Sequence, residues 1–144
     1  MHHSEAFLSS RLFTWPVRVY YEDTDAAGLV YYANYPRFME RARTEWLRAL
    51  GFQLTDLKHE HGVLFIVSRL EIDFLKPALF NDTLSVSVEM SRAGKASLDL
   101  TQRVLRGAED LVCRAEVRIA CVDADSLRPR RIPQILISEL ERAG

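Results

Sequence analysis

Residues 35–51 read YPRFMERARTEWLRALG and form the most regularly periodic stretch of the chain. Charged side chains separate apolar ones that recur at spacings of three and four. These apolar residues are Tyr35, Phe38, Met39, Ala42, Trp46, Leu47, Ala49 and Leu50. Asn34 and Pro36 are typical of a helix cap and first turn, and Gly51 is typical of a helix end. The stretch predicts one long helix lying on an apolar surface.

Downstream of this helix the apolar period changes to two, which predicts β-strands. The predicted strands are residues 64–75, 84–90, 98–100 and 111–121. Short turns at 80–82, 93–95 and 106–110 predict antiparallel hairpins between them. On the first strand the residues expected to share a face are Leu64, Ile66, Leu70, Ile72 and Phe74.

Three shorter elements complete the predicted order. Residues 17–21 predict a strand before the long helix. Residues 55–61 predict a short helix capped by Thr55 and closed by Gly62. Residues 134–142 predict a short helix near the C-terminus.

The predicted order indicates an α+β fold with one helix against an antiparallel five-stranded sheet. One helix cannot cover such a sheet, and the sheet has an exposed edge. A second subunit would cover both, so we expect at least a homodimer.

The composition indicates one globular domain spanning residues 1–144. Of the 144 residues, 48% are hydrophobic and 27% are charged. The chain has 19 basic and 20 acidic side chains, for a formal charge of -1. This balance argues against nucleic-acid binding as the main task.

The cysteines and the hydropathy pattern indicate a cytoplasmic protein. Cys113 and Cys121 lie on one predicted strand, about 26 Å apart, so they cannot form a disulfide with each other. Free thiols are typical of a reducing cytoplasm. Residues 1–15 lack a signal-peptide pattern, and no apolar run approaches the roughly 18 residues of a membrane span.

An acidic loop precedes the long helix. Glu22, Asp23 and Asp25 place three carboxylates in four positions. Such residues are commonly caps or turn residues. Here small and apolar residues follow, so a carboxylate beside free backbone donors is the alternative. Acyl transfer needs a nucleophile or base next to an oxyanion site.

The motifs DTDAAGLVYYANY (residues 23–35) and ERARTE (residues 40–45) resemble the 4-hydroxybenzoyl-CoA thioesterase family of hot-dog proteins. The resemblance is greatest to the Tol-Pal-associated acyl-CoA thioesterase branch and covers about Val17 to Val122. It implies a sheet wrapped around the long helix, two subunits joined into a continuous sheet, and active sites at the subunit interface. A homodimer or homotetramer is therefore expected.

The resemblance implies that Asp25 is the catalytic carboxylate, acting as nucleophile or general base. The backbone amide of Tyr32 would polarise the thioester carbonyl. Many members of the branch have His where this chain has Tyr32. The implied substrate is acyl-CoA, or an acyl group on acyl carrier protein, and the chemistry needs no metal or redox cofactor.

Glu45 is the alternative base. It is predicted on the apolar face of the helix, where an unpaired carboxylate is costly, so pairing with Arg41 or Arg48 is the simpler interpretation. Another type of hot-dog thioesterase takes its catalytic Glu from the central helix.

Arg92 and Lys95 flank a predicted hairpin that lies near the nucleotide in related thioesterases. Arg and Lys are suited to the phosphates of coenzyme A, although solvated hairpin charges explain the pattern equally well. His59 and His61 have no ligand-like partners and are expected at the surface. The sequence contains no zinc motif, phosphate-binding Gly-rich loop or Gly-x-Ser-x-Gly elbow.

Two further functions are compatible with the predicted fold. A non-catalytic acyl-binding or scaffold protein would work by contacts alone. A hot-dog dehydratase is a third possibility, but no Asp/His pair of the sequence is placed for that chemistry. The intact loop around Asp25 favours the thioesterase.

Overall fold

The computed structural model describes residues 12–143. The strands are β1 (Phe13–Arg18), β2 (Val63–Phe74), β3 (Thr83–Ala93), β4 (Ser97–Arg106) and β5 (Asp110–Asp123). The helices are α1 (Tyr35–Ala49), α2 (Leu54–His61) and α3 (Gln134–Ala143). Short 3₁₀ turns cover Tyr21–Asp23 and Tyr32–Asn34. The expectation of no signal peptide concerns mainly residues 1–11, which lie outside the described residues.

The strands form one five-stranded sheet in the order β1-β3-β4-β5-β2. Every neighbouring pair is antiparallel. The predicted α+β architecture, with one long helix against an antiparallel sheet, is confirmed. The edges of this sheet are β1 and β2.

The predicted hairpin between β2 and β3 is wrong, because β2 pairs with β5 and β3 pairs with β1. Residues 75–82 cross from one side of the sheet to the other. The crossing chain is fixed at Ala78, whose amide donates to the Tyr35 hydroxyl at 3.2 Å. The Ala78 carbonyl accepts from the Val30 amide at 2.9 Å. These long-range bonds have no local sequence signal. The other two predicted turns do close hairpins.

The first strand lies upstream of its predicted position at residues 17–21. Its pairing with β3 runs from Phe13, opposite Val88, to Arg18, opposite Thr83. The chain then turns, because the Asp23 carboxylate accepts a hydrogen bond from the Tyr20 amide at 2.8 Å.

The short helix α2 begins at Leu54 after Gln53, so the predicted Thr55 cap is wrong. No side chain caps its N-terminus, so the sequence carries no capping signal for the first residue of this helix. Gly62 ends the helix with φ +67°, as predicted.

The predicted inner face of β2 is correct only in its second half. The pairing with β5 shifts between Val67 and Arg69, so Ser68 is an extra, bulged residue. Phe65 and Val67 therefore share the concave face with Leu70, while Leu64 and Ile66 point to the other face. Residues 64–67 are all apolar, so no alternation of polar and apolar residues shows which of them face the core.

The core lies between α1 and the concave face of the sheet. The buried face of α1 is the predicted one except at Leu50, which is partly buried, and Ala49, which is exposed. This face packs against β1 and β3. The strands contribute Leu84, Val86, Val88, Met90, Leu98 and Leu100, all buried as predicted.

Part of the concave face remains open to solvent. On β2, Val67 is 47% exposed, Leu70 42% and Phe74 48%. We call the concave surface formed by these three residues the β2 trough. It is bounded on one side by the free edge of β2, so α1 covers only part of the sheet, as predicted.

Both cysteines are free, as predicted, and fully buried. Burial raises the pKa of the Cys113 thiol to about 12 and that of Cys121 to about 11. A raised pKa leaves less thiolate, the reactive form, at any pH below it.

We predict that neither thiol of the native protein reacts readily with a disulfide reagent at about pH 8. Two thiols should react at once after denaturation, measured by absorbance of the released chromophore. Rapid labelling without denaturant would contradict the described burial.

Candidate active site

Asp25 lies in an exposed loop with its carboxylate held in one orientation. Its Oδ1 accepts hydrogen bonds from the Ala27 amide at 2.9 Å and the Leu29 amide at 3.2 Å. Its Oδ2 has no hydrogen-bond partner within residues 12–143. One oxygen thus positions the group, and the other is available for chemistry.

The backbone of this loop closes on itself. The Asp25 amide donates to the Leu29 carbonyl at 2.8 Å, and the Gly28 amide donates to the Asp25 carbonyl at 3.0 Å. Gly28 has φ +80°, a conformation that side chains other than glycine adopt only with strain. The small residues that follow Asp25 therefore form the tight turn that orients its carboxylate.

Asp23 has a different role from Asp25. Its side chain bonds the Tyr20 amide. Its backbone carbonyl accepts from the Tyr31 amide and from the Asn34 side chain, both at 2.9 Å. Asp23 therefore ties the acidic loop to the residues that begin α1.

Tyr32 is the first residue of the 3₁₀ turn that leads into α1. Its amide donates no hydrogen bond to any other residue of the described chain. First-turn amides of a helix carry partial positive charge and have no partner inside the helix. Tyr32 is 61% exposed, and its ring packs edge-on against Phe74, with the ring centroids 5.8 Å apart.

Glu45 is paired with Arg48, whose Nη1 donates to Oε2 at 2.6 Å. The predicted pairing is confirmed for Arg48, whereas the Arg41 guanidinium lies over the Phe38 ring, 5.7 Å from its centroid. Glu45 lies ten residue steps beyond Tyr35, about 15 Å along the helix axis. The structure therefore does not bring Glu45 to the Asp25 loop within one chain.

Arg92 and Lys95 lie at the opposite end of the sheet from Asp25. Strand β3 runs from Thr83, opposite Arg18, to Ala93. Its ten residue steps span about 33 Å. Within one chain the structure does not bring this hairpin to the acidic loop.

The two hairpin cations differ in their partners. The Arg92 Nη1 is 3.6 Å from Asp99 Oδ2. Asp99 already accepts two hydrogen bonds from Arg118, which, with Arg92, hold its pKa below the ordinary value. Lys95 is exposed and forms no ion pair within residues 12–143.

Neither a metal centre nor a membrane span is found in the described part of the chain. No three His, Cys, Asp or Glu side chains of residues 12–143 are grouped to hold a metal ion. None of the helices described here is long and apolar enough to cross a membrane. His59 is exposed and His61 is partly buried, both on α2.

Comparison with known proteins identifies the family. Residues 19–140 match the model of the thioesterase-like superfamily. The chain belongs to this superfamily. Its five-stranded antiparallel sheet and long helix are the hot-dog fold that the sequence motifs implied.

Relatives in the thioesterase-like superfamily cover nearly the whole chain. A protein of Escherichia coli O157:H7 named acyl-CoA thioester hydrolase YbgC is 41% identical over 94% of this chain and 100% of its own length. A 1,4-dihydroxy-2-naphthoyl-CoA hydrolase of Nostoc punctiforme is 33% identical, with 90% and 86% covered. The crystal structure of a probable thioesterase from Bartonella henselae is 37% identical, with a TM-score of 0.81 and 85% and 99% covered.

Sequence reasoning missed two residues beside this candidate site. Asn34 is buried and links the acidic loop to the helix, whereas the sequence predicts it only as a helix cap. Phe74, at the end of β2, contacts the rings of Tyr32 and Tyr35. No sequence signal indicates either contact, because both join segments that are separated along the chain.

Proposed function

We propose that the chain hydrolyses acyl-CoA to the free acid and coenzyme A, with Asp25 and the Tyr32 amide as its catalytic groups. Membership of the superfamily, together with a 41% identical relative named acyl-CoA thioester hydrolase, supports the reaction class. The geometry of the Asp25 carboxylate is the observation that supports the assignment of the site. Two amides hold one of its oxygens, and the same loop is bonded to the start of α1.

The Asp25 Oδ2 either attacks the thioester carbon or takes a proton from the attacking water. In the first case the C–S bond breaks as an acyl-aspartyl anhydride forms, and water then hydrolyses the anhydride. In the second case water adds directly and the C–S bond breaks afterwards. In both, the thiolate leaves and is protonated, and the Tyr32 amide stabilises the carbonyl oxygen as it gains negative charge.

The presence of Tyr32 where many relatives of the Tol-Pal branch have His is compatible with this mechanism. The donor is the backbone amide, which every residue except proline carries. The Tyr32 ring instead packs on Phe74 beside the β2 trough. We infer that the ring forms one wall of the acyl entrance.

The open edge of β2 supports a homodimer, or a pair of such dimers. A second copy paired antiparallel along β2 would extend the sheet and cover the β2 trough. It would also satisfy the unpaired backbone groups of a 12-residue edge strand. The active site would then lie beside the subunit interface, because Phe74 ends the edge strand and contacts Tyr32.

The same dimer would bring Arg92 and Lys95 of one chain toward Asp25 of the other. Antiparallel pairing places the start of one β2 beside the end of the other. The β3–β4 hairpin lies at the same end of the sheet as the start of β2, and β4 is the second strand from β2 in the sheet order. Three strand spacings, about 14 Å, then separate the β4 end of the hairpin from the partner's β2, whereas within one chain the hairpin and the acidic loop lie at opposite ends of β3, about 33 Å apart. We propose that the hairpin binds the coenzyme A phosphates of the partner's site.

Replacement of Asp25 by Asn is predicted to reduce thioester hydrolysis about 10²- to 10⁴-fold, because it removes the attacking or proton-accepting oxygen at nearly constant volume. The measurement is release of free coenzyme A from a panel of acyl-CoA chain lengths. Folding and acyl-CoA binding should be largely retained.

Glu45→Gln is the matched control for Asp25→Asn, since it makes the same change at a paired carboxylate. It should retain most of the activity. If the Glu45→Gln variant is inactive and the Asp25→Asn variant is active, Glu45 is the catalytic carboxylate. A wild-type protein that binds acyl-CoA without hydrolysing it would instead support the acyl-binding or scaffold function. Acyl groups on acyl carrier protein, tested in parallel, decide the carrier.

Light scattering at micromolar concentration is predicted to give the mass of a homodimer or homotetramer, because the free β2 edge and the open trough need a cover. An active monomer of 16.6 kDa would refute an interfacial active site.

Neutralising both Arg92 and Lys95 is predicted to raise KM for acyl-CoA several-fold with little change in kcat. Contacts to the nucleotide are the same in the ground and transition states. Exposed charge pairs contribute only about 0 to 1 kcal/mol, and salt should reduce the effect further.

An acyl-pantetheine, which lacks the nucleotide, is the comparison substrate for this double variant and should be hydrolysed as by the wild type. Equal losses on both substrates would mean that the hairpin acts through pocket structure. An unchanged KM for acyl-CoA would leave Arg92 and Lys95 as solvated turn residues.

A further inference from the structure

Arg43 is a partly buried cation without a carboxylate partner. It lies on α1, and its Nη1 donates to the Oε1 of Gln102 at 3.0 Å. It forms no ion pair with any carboxylate of residues 12–143. Glu40, one turn earlier on the helix, instead accepts from the Thr44 hydroxyl at 2.8 Å. Burial lowers the pKa of Arg43, since desolvation disfavours its charged form, and the nearby charge of Glu40 offsets this only in part.

Gln102 holds this cation in place. Its side chain is fully buried, and its Nε2 donates to the carbonyls of Met39 at 3.1 Å and Ser87 at 3.2 Å. Carbonyl oxygens only accept, so these two bonds fix which end of the amide is nitrogen. The Oε1 is therefore turned toward Arg43. A guanidinium carries five N–H donors, and residues of the described chain accept one of them.

The position of Arg43 places it on the open side of the helix. Helix α1 packs on β1 and β3, whereas Gln102 belongs to β4. The contact with Gln102 therefore lies on the flank of α1 that faces β5 and β2. Arg43 is eight residues beyond Tyr35, about 12 Å along the helix axis. Through the register with β5, Gln102 is level with Ile72 of β2, within the length of the β2 trough.

Several guanidinium groups of the sheet have carboxylate partners. Arg106 bonds both Asp82 and Asp110, and Arg118 bonds Asp99. A buried charge is costly unless it is paired, so an arginine that is fixed and only partly satisfied is suited to an acceptor from outside its own chain.

We propose that Arg43 binds an oxygen of the acyl group, a hydroxyl or carboxylate several carbons from the thioester, and so selects polar acyl groups. This inference rests on the proposed thioesterase function. Gln102 acts as a positioning residue, because it touches Arg43 and not the acyl group.

Three substrates of equal chain length test this proposal on the unaltered protein. They are hexanoyl-CoA, 6-hydroxyhexanoyl-CoA and adipoyl-CoA. We expect kcat/KM for at least one oxygen-bearing substrate to exceed that for hexanoyl-CoA by about 10-fold or more, as for hydrogen bonds to a charged group. The hydroxyl and carboxylate arms show which oxygen is bound. A wild-type preference for hexanoyl-CoA over both would overturn the inference.

Arg43→Met should lower the ratio of kcat/KM for the preferred oxygen-bearing substrate to that for hexanoyl-CoA by about 10- to 100-fold. Arg43→Lys, which keeps the charge but loses the planar fork, should lower this ratio less. Arg37→Met, an exposed arginine on the same helix, is the matched control and should keep the ratio.

Two results would overturn the role of Arg43 alone. If Arg43→Met lowers kcat/KM equally for all three substrates, the residue is structural. If it converts the oligomer to a monomer in light scattering, its acceptor belongs to a second copy of the chain. Absence of hydrolysis of any acyl-CoA by the wild type would instead refute the proposed function, and the inference with it.

Discussion

The backbone carbonyl of Asp23 joins the two halves of the candidate site. It accepts hydrogen bonds from the Tyr31 amide and the buried Asn34 side chain, so the acidic loop is bonded directly to the start of α1. The crossing segment reinforces this connection, because Ala78 bonds both Val30 and the Tyr35 hydroxyl. A carboxylate and a helix-start amide serve acyl transfer only in a fixed relative position. The hydrogen bonds around Asp23 supply that constraint.

Local periodicity predicted most of the fold, and the errors arise where distant contacts decide. Helical spacing is a property of the sequence itself, and it correctly predicts Phe38 and Met39 on the buried face of α1. The bulge at Ser68 and the crossing of residues 75–82 depend on pairing with β5 and on the Tyr35 hydroxyl. Neither determinant lies near these residues in the sequence. An apolar run such as 64–67 fits either face of a strand, so only the sheet can choose its phase.

In the candidate site, too, the sequence indicates residues whereas distant contacts decide their roles. The motif resemblance singled out Asp25 and Tyr32, and the structure adds the reason that Asp23 and Asp25 are not equivalent. The Asp23 side chain and backbone carbonyl both accept hydrogen bonds that hold the loop, whereas Asp25 has one carboxylate oxygen without a partner in the described chain. Residue type and spacing cannot separate two aspartates two positions apart. Arg43 escaped sequence reasoning for a related reason, since its partner Gln102 is 59 residues away.

The incomplete cover of the sheet connects the proposed dimer, the proposed acyl site and the proposed role of Arg43. Helix α1 covers β1 and β3 and leaves Val67, Leu70 and Phe74 open. An apolar surface of this kind on an edge strand is suited both to a second chain and to an acyl group. The two occupants are compatible if the partner closes the trough from the β2 edge while the acyl group lies along the flank of α1. In that arrangement Tyr32 stands at the reacting end, Arg43 lies farther along the wall, and the partner's hairpin is the nearest source of cations for the nucleotide. A single chain would hold the proposed reacting groups but would leave the apolar part of the acyl chain without a cover, which is why we propose catalysis at the interface.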